Sequence, residues 1–184
     1  MKLGPTFIVF LCISLQLGFA QTKTLTVCEV LNDIDDYRGK IIAVRGIVFS
    51  SYHGSGLADY ERRECPGLSK AGKQWPSSIY LTWHDATPED GSRGFVPDAK
   101  NIEQTLSEVN SAIEKSRSQG EHSLTYIATF IGELRSRRDI LIKKRESGAY
   151  AGNGYGQLGR YPAHLVIKSV GDPQLVDFRD LKWK

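Results

Sequence analysis

Lys40-Ile-Ile-Ala-Val-Arg-Gly46-Ile-Val-Phe-Ser50 decides the fold class. Ile41, Ile42, Val44, Ile47 and Val48 are β-branched, and such side chains suit a pleated, half-buried surface. Residues 40–50 therefore read as a strand. Gly46 at its centre marks a bulge or a tight bend, of the kind small barrels use at corners. Immediately upstream, Asp35-Asp-Tyr-Arg-Gly39 reads as a turn. Before it, Thr26 and Glu29 have the spacing of a capping box, in which each side chain satisfies a backbone N–H at a helix start. Val27, Val30, Leu31 and Ile34 then describe one face of a short amphipathic helix.

Downstream, residues 51–77 look irregular, with His53-Gly-Ser-Gly56 and Pro66-Gly67 as turn markers. In 78–84, Ile79, Leu81 and Trp83 alternate with Tyr80, Thr82 and His84, the pattern of a second strand. Residues 85–98 carry two Pro and two Gly and read as a surface loop. Asn101 with Gln104 forms another capping-box pattern, followed by Ile102, Leu106, Val109 and Ile113 at helical spacing and by Gly120 where a helix-ending glycine belongs. A third strand covers 124–134, with Gly132 inside it. The polar turn Ser136-Arg137-Arg138 leads into 139–142, which suggests a hairpin with that strand. A glycine- and tyrosine-rich loop, 146–161, precedes a last strand at 164–170. In the tail, Leu175, Val176, Phe178, Leu181 and Trp183 are apolar enough to pack back on the domain.

Two stretches resemble the same group of proteins. Leu31-Asn-Asp-Ile-Asp-Asp-Tyr37-Arg-Gly39-Lys-Ile-Ile-Ala-Val44-Arg-Gly46-Ile-Val48 looks like the entry to small bacterial exported OB-fold domains, where a short helix ends in a Tyr-x-Gly-Lys turn and feeds a Val-x-Gly-x-Val strand. Gly156-Gln-Leu-Gly159-Arg-Tyr-Pro162-Ala-His-Leu-Val-Ile-Lys-Ser-Val170 is similar to their closing strand. The resemblance covers about a quarter of the chain and implies a binding scaffold with a helix between the third and fourth barrel strands, where 101–119 lies. It carries no active-site residue across, because the fold serves many ligand classes.

The first twenty residues read as a secretory leader. Lys2 precedes an apolar run from Phe7, and Gly18-Phe19-Ala20 supplies small residues before a cleavage point near Gln21. The run is about 14 residues, short of the roughly 20 that a bilayer core requires. Bulky Val9-Phe10-Leu11 ahead of Cys12 argues against lipid attachment. Of the three cysteines, Cys28 and Cys65 remain after cleavage, and an isolated pair in an oxidising compartment is expected to bond, with two buried thiols or a metal or catalytic thiol as the competing outcomes. The chain has 184 residues, 40% hydrophobic and 24% charged, which excludes wholesale disorder and suits one domain with its own core. Its formal net charge is +3, and removing the leader takes away only Lys2, leaving +2. That balance by itself selects no partner.

Little in the chain looks catalytic. Gly154-Tyr-Gly156-Gln-Leu-Gly159 matches a dinucleotide fingerprint by its letters, but that motif needs a buried strand before it and a helix starting at the third glycine. Pro162 and the β-type run after it deny the helix. His53, His84, His122 and His164 show no zinc spacing, and no H-E-x-x-H or G-x-S-x-G is present. His84-Asp85 is the best acid–base pair. Asp35-Asp36 and Glu89-Asp90 sit in expected turns as solvated acids. The local concentration of charge is different: Arg135, Arg137, Arg138, Lys143, Lys144 and Arg145 fall within eleven residues that hold one acid, Asp139. Tyr150, Tyr155 and Tyr161 follow. Cations for anionic groups beside aromatic faces for stacking are how OB-folds hold single strands or glycans. The plainer alternative is a solvated hairpin tip that guards a sheet edge.

The expected molecule is therefore mainly β with two helices (α+β), an OB-like five-stranded barrel. Residues 1–20 form the signal peptide, and 21–184 form one OB-like domain with a packed C-terminal tail. It is secreted or periplasmic, needs no cofactor or metal, and has no stable membrane insertion after cleavage. It is a binding module for an anionic polymer or a protein partner rather than an enzyme. The alternative is an extracytoplasmic hydrolase using His84 and Asp85 or a spatial histidine site.

Overall fold

A computed structural model describes residues 23–51, 54–61, 63–70, 72–73, 75–82, 96–120 and 123–181. The leader, His53, Trp83, the His84-Asp85 pair, Glu89-Asp90, His122 and Trp183 lie outside the described residues. In chain order the elements are β1 (Thr24–Thr26), α1 (Val27–Asn32), α2 (Ile34–Tyr37), β2 (Ile41–Ser51), β3 (Gly54–Ala58), α3 (Pro66–Lys70) and β4 (Ser78–Thr82). They continue with α4 (Ala99–Ser118), β5 (Leu124–Arg135), β6 (Ile142–Lys144), β7 (Tyr150–Gly152) and β8 (His164–Asp177). The two expected helices are present as α1 and α4, and among the described residues two shorter ones, α2 and α3, join them.

Five strands close a barrel. β2 runs antiparallel to β3 (Val48 opposite Leu57) and β3 antiparallel to β4 (Leu57 opposite Ile79). β4 lies parallel to β8 (Leu81 opposite Leu165), and β8 runs antiparallel to β5 (Leu165 opposite Leu134). β5 returns antiparallel to β2 (Phe130 opposite Val44) and closes the ring. With α4 between its third and fourth strands, this is the OB-like order that the opening stretch leads one to expect. β1 adds a short parallel pairing to β2.

Strand alternation fills the interior. Val44, Val48, Leu57, Ile79, Leu81, Phe130, Leu134, Leu165 and Ile167 are buried in one cluster, with Ile102 and Val109 from α4 and Val27, Val30 and Leu31 from α1. Each such side chain contributes about 1.5–3 kcal/mol by leaving water. Close strand crossings set two glycines. A Cβ on Gly46 would lie 2.6 Å from the Ala58 carbonyl oxygen, so glycine lets the chain approach there, and the β2–β5 register runs through Gly46 without a bulge. A Cβ on Gly132 would lie 2.3 Å from the Val166 oxygen, and the β5–β8 register shifts between Ile131 and Gly132.

The first capping box is present. Thr26 Oγ1 accepts the Glu29 N–H at 3.2 Å, and Glu29 Oε2 accepts the Thr26 N–H at 2.7 Å. The second differs from expectation. α4 begins at Ala99, and Asp98 caps it by accepting the Asn101 N–H at 3.0 Å. Asn101 Oδ1 instead accepts the Val170 N–H at 2.8 Å and ties the helix to β8. Gly120 closes the helix with φ +90°. The expected hairpin is also re-drawn: β6 pairs with β7 in a separate two-stranded sheet, not with β5. β5 already has β2 on one side and β8 on the other, so it has no free edge to offer. The tail through Asp177 continues β8 along β5, and the Phe178 N–H donates to the Ser123 oxygen at 2.8 Å.

Cys28 in α1 and Cys65, just before α3, form a disulfide with their Cα atoms 5.1 Å apart. Among the described residues no helix is long and apolar enough to cross a membrane.

Candidate functional site

Arg135 ends β5, and the rest of the cation run lies with the tyrosines in the long connection between β5 and β8. Asn153 organises its first half: its Oδ1 accepts the Leu141 N–H at 2.7 Å, and its Nδ2 donates to the Asp139 oxygen at 2.9 Å. These bonds tie the residue after β7 to the residues just before β6. In the second half Tyr155 and Tyr161 exchange backbone hydrogen bonds at 2.8 and 3.1 Å around a tight turn. Gly156 takes φ +69° there, with Tyr161 and Tyr80 ring atoms within about 3 Å of where its Cβ would be, so a side chain would fit neither the backbone nor the space. The fingerprint-like glycines thus form a folded loop lying on the barrel.

That loop rests on the outer face of β4 and β8. Tyr80 on β4 is opposite His164 on β8, which is opposite Arg135 on β5. The Tyr80 ring lies 5.4 Å from Tyr161 and 5.5 Å from His164, and Tyr155 lies 5.5 Å from His164. The outer face of the second and third barrel strands, here β3 and β4, is where OB-folds usually hold ligands. In this chain part of it is covered by the chain's own loop. Tyr161 is only 2% exposed. It packs the loop down and offers no stacking face, which corrects the role expected from its neighbours in sequence.

Beside the loop runs a groove. Two clefts, of about 940 and 470 Å³, share Gly72, Lys73 and Trp75 as a common wall. The larger lies between residues 63–77 and the β6–β7 hairpin and takes Arg63, Lys144, Arg145 and Tyr150. The smaller takes Arg38, Arg137 and Arg138 beside Ile140, Leu141 and Ile142. With Lys73, seven described cations line the pair, against the three acids Asp35, Glu64 and Glu146. Asp35 is itself paired with Arg38. The surplus is positive along the whole length.

The structure therefore sorts the expected site residues. Arg137, Arg138, Lys144, Arg145 and Tyr150 line the groove. Arg135 turns toward Glu133 on its own strand, Nη2 to Oε2 3.4 Å. Lys143 is not among the lining residues; strand alternation puts it opposite its lining neighbours Ile142 and Lys144. Tyr155 sits in the ring cluster, with the Arg137 guanidinium 5.3 Å from its centre. The other wall, Arg38, Arg63, Lys73 and Trp75, comes from segments that look unremarkable along the chain. Its one local signal is the isolated aromatic in Lys73-Gln-Trp75-Pro76, between turn residues.

Three ties hold that second wall. The disulfide anchors Cys65 to α1, the Cys65 N–H donates to Ser77 Oγ at 2.9 Å, and Leu68 is buried in the core. Rings steady several cations: Lys73 Nζ lies 4.4 Å from the Trp75 ring centre and Lys144 Nζ 5.8 Å from that of Tyr150. A cation seated on an aromatic face is attracted by its quadrupole, worth about 0.5–1 kcal/mol at exposed sites, and is partly ordered before any ligand arrives. The chain matches no protein-family model, no curated protein and no solved structure.

Proposed function

We propose that this protein is an extracytoplasmic, non-enzymatic binding module of the kind its opening and closing strands resemble, and that it holds an anionic polymer in the groove beside β6–β7. The observation that carries this is the convergence of cations on two joined clefts. Arg38, Arg63, Lys73, Arg137, Arg138, Lys144 and Arg145 come from separate parts of the chain, yet they line two adjoining clefts that share Trp75 as a wall. Solubility alone asks only for dispersed charge, whereas a linear polyanion is met by a row. The buried disulfide fits an oxidising compartment. So does the leader-like start of the chain.

The test is the salt dependence of binding to heparin between about 50 and 200 mM NaCl, since each cation exchanged against a polyanion releases counterions and steepens the slope. Arg138→Ala, Lys144→Ala and Arg145→Ala combined should weaken binding and flatten that slope by about two. Lys143→Ala should change affinity little. Equal effects of Lys143→Ala and Lys144→Ala would mean that the hairpin acts as undirected charge, and a failure of the unaltered protein to bind heparin at low salt would reject the groove.

A further inference from the structure

The rings around this groove already have occupants. Trp75 packs against the barrel core and carries the Lys73 ammonium at 4.4 Å. Tyr155 has the His164 ring at 5.5 Å and the Arg137 guanidinium at 5.3 Å. Tyr161 is buried against Tyr80, with the Arg160 guanidinium 5.0 Å from its centre. Tyr150 has Lys144 at 5.8 Å. Single-strand binders that use OB-folds rely on uncovered aromatic faces for successive bases, and each stacked base is worth about five- to 150-fold in affinity. Here the rings serve instead as seats for cations.

We infer that the groove takes a base-free linear polyanion, a chain of closely spaced sulfate or phosphate groups, and reads it through those anionic groups without stacking. This rests on the groove being the binding site. The cations do the recognising: guanidinium groups make paired hydrogen bonds to sulfate or phosphate oxygens, and the ammonium groups act as point charges between them. Trp75, Tyr150 and Tyr155 act through those cations, as positioning residues. Nucleobases would add nothing, because to stack they must first displace a cation that the backbone phosphates need.

The experiment compares four probes with the purified protein at one low salt concentration. They are a heparin-derived oligosaccharide, linear polyphosphate, oligo(dT), and an abasic deoxyribose-phosphate strand of the same length as the oligo(dT). Oligo(dT) and the abasic strand should bind within about twofold of each other, which is below the value of one stacked base. A preference of fivefold or more for oligo(dT) would overturn the inference while leaving the groove in place. If none of the four binds, the proposed function itself fails. The ratio of heparin to polyphosphate affinity distinguishes a sulfated glycan from a phosphate polymer as the source of the charge.

Lys73→Ala supplies an independent check, because it uncovers Trp75 without changing the barrel. It should weaken the abasic strand several-fold and raise the ratio of oligo(dT) to abasic affinity. An unchanged ratio together with unchanged affinities would overturn the view that Lys73 occupies the ring and the site.

Discussion

Asp59 and Cys28 meet through a single hydrogen bond: Asp59 Oδ2 accepts the Cys28 N–H at 3.0 Å, and the aspartate is only 1% exposed. Its other oxygen accepts the Glu61 N–H at 2.9 Å. One buried carboxylate thus fastens the exit of β3 to the first turn of α1, next to the bond that holds Cys65. Asp59→Ala strands two N–H donors, at about 1–3 kcal/mol each. We expect a drop of roughly 3 kcal/mol in urea unfolding, with Asp59→Asn costing less because it keeps an acceptor. A loss below about 0.5 kcal/mol for the alanine variant would show that water replaces the carboxylate.

The disulfide spans a separation of 37 residues. Closing a loop of that length restricts the unfolded chain by about 3–4 kcal/mol in the chain-entropy model. Replacing Cys28 and Cys65 together by Ala should therefore lower unfolding stability by that order. Titration of the unreduced, denatured protein should detect neither thiol of the pair, and reactivity at both Cys28 and Cys65 would contradict the bond.

Tyr126 gives the alkaline behaviour. Burial pushes its hydroxyl up to about 12 from the ordinary 10. Unfolded chains release this proton near pH 10 while the folded protein keeps it. The stabilisation is complete below pH 10 and is lost as the pH rises toward 12, with a slope approaching about 1.4 kcal/mol per pH unit. Tyr126→Phe should remove that part of the decline. Ultraviolet titration should show one phenol fewer ionising above pH 11 in the variant; an unchanged curve would place Tyr126 in contact with water.

Gly132→Ala tests the barrel seam. The added methyl would meet the Val166 oxygen at 2.3 Å, and its nearest neighbours are all β8 backbone, with no flexible side chain among them to give way. Overpacking of this kind costs about 1–3 kcal/mol. A thermal shift should show a fall of several degrees. An unchanged melting temperature would mean that β5 and β8 can separate there.

The four barrel strands with β-branched or alternating sequences, β2, β4, β5 and β8, were legible from the chain alone, as was α4 by its spacing. β3 was not. Gly54-Ser55-Gly56 lacks every residue that favours a strand. The reason is tertiary: a Cβ on Gly56 would lie 2.3 Å from the Phe49 ring, and one on Gly54 would lie 2.8 Å from the Tyr80 ring. Glycines that make room for aromatic rings look like turn residues until the rings are placed. The β6–β7 pairing was hidden for a similar reason, since which strand has a free edge is decided by the closed barrel. Half of the groove was visible as a run of cations. Arg38, Lys73 and Trp75 were not, because only folding brings them opposite that run.

The connection that carries the groove begins after Arg135 and ends before His164, and those two residues are direct register partners across β5 and β8. Twenty-eight residues therefore leave and re-enter the barrel at one point, in the position of a two-residue hairpin turn. The last residue of the connection, Ala163, still belongs to the barrel: the Ala163 oxygen accepts the Tyr80 N–H at 3.0 Å, and its side chain is buried in the core. Exchanging 136–162 for a short turn that keeps Ala163 should leave the closing strands in register and bare the Tyr80 row, giving a different outer surface on the same frame. The character of that outer surface is thus set by one connection, inserted at a single crossing of the two closing strands.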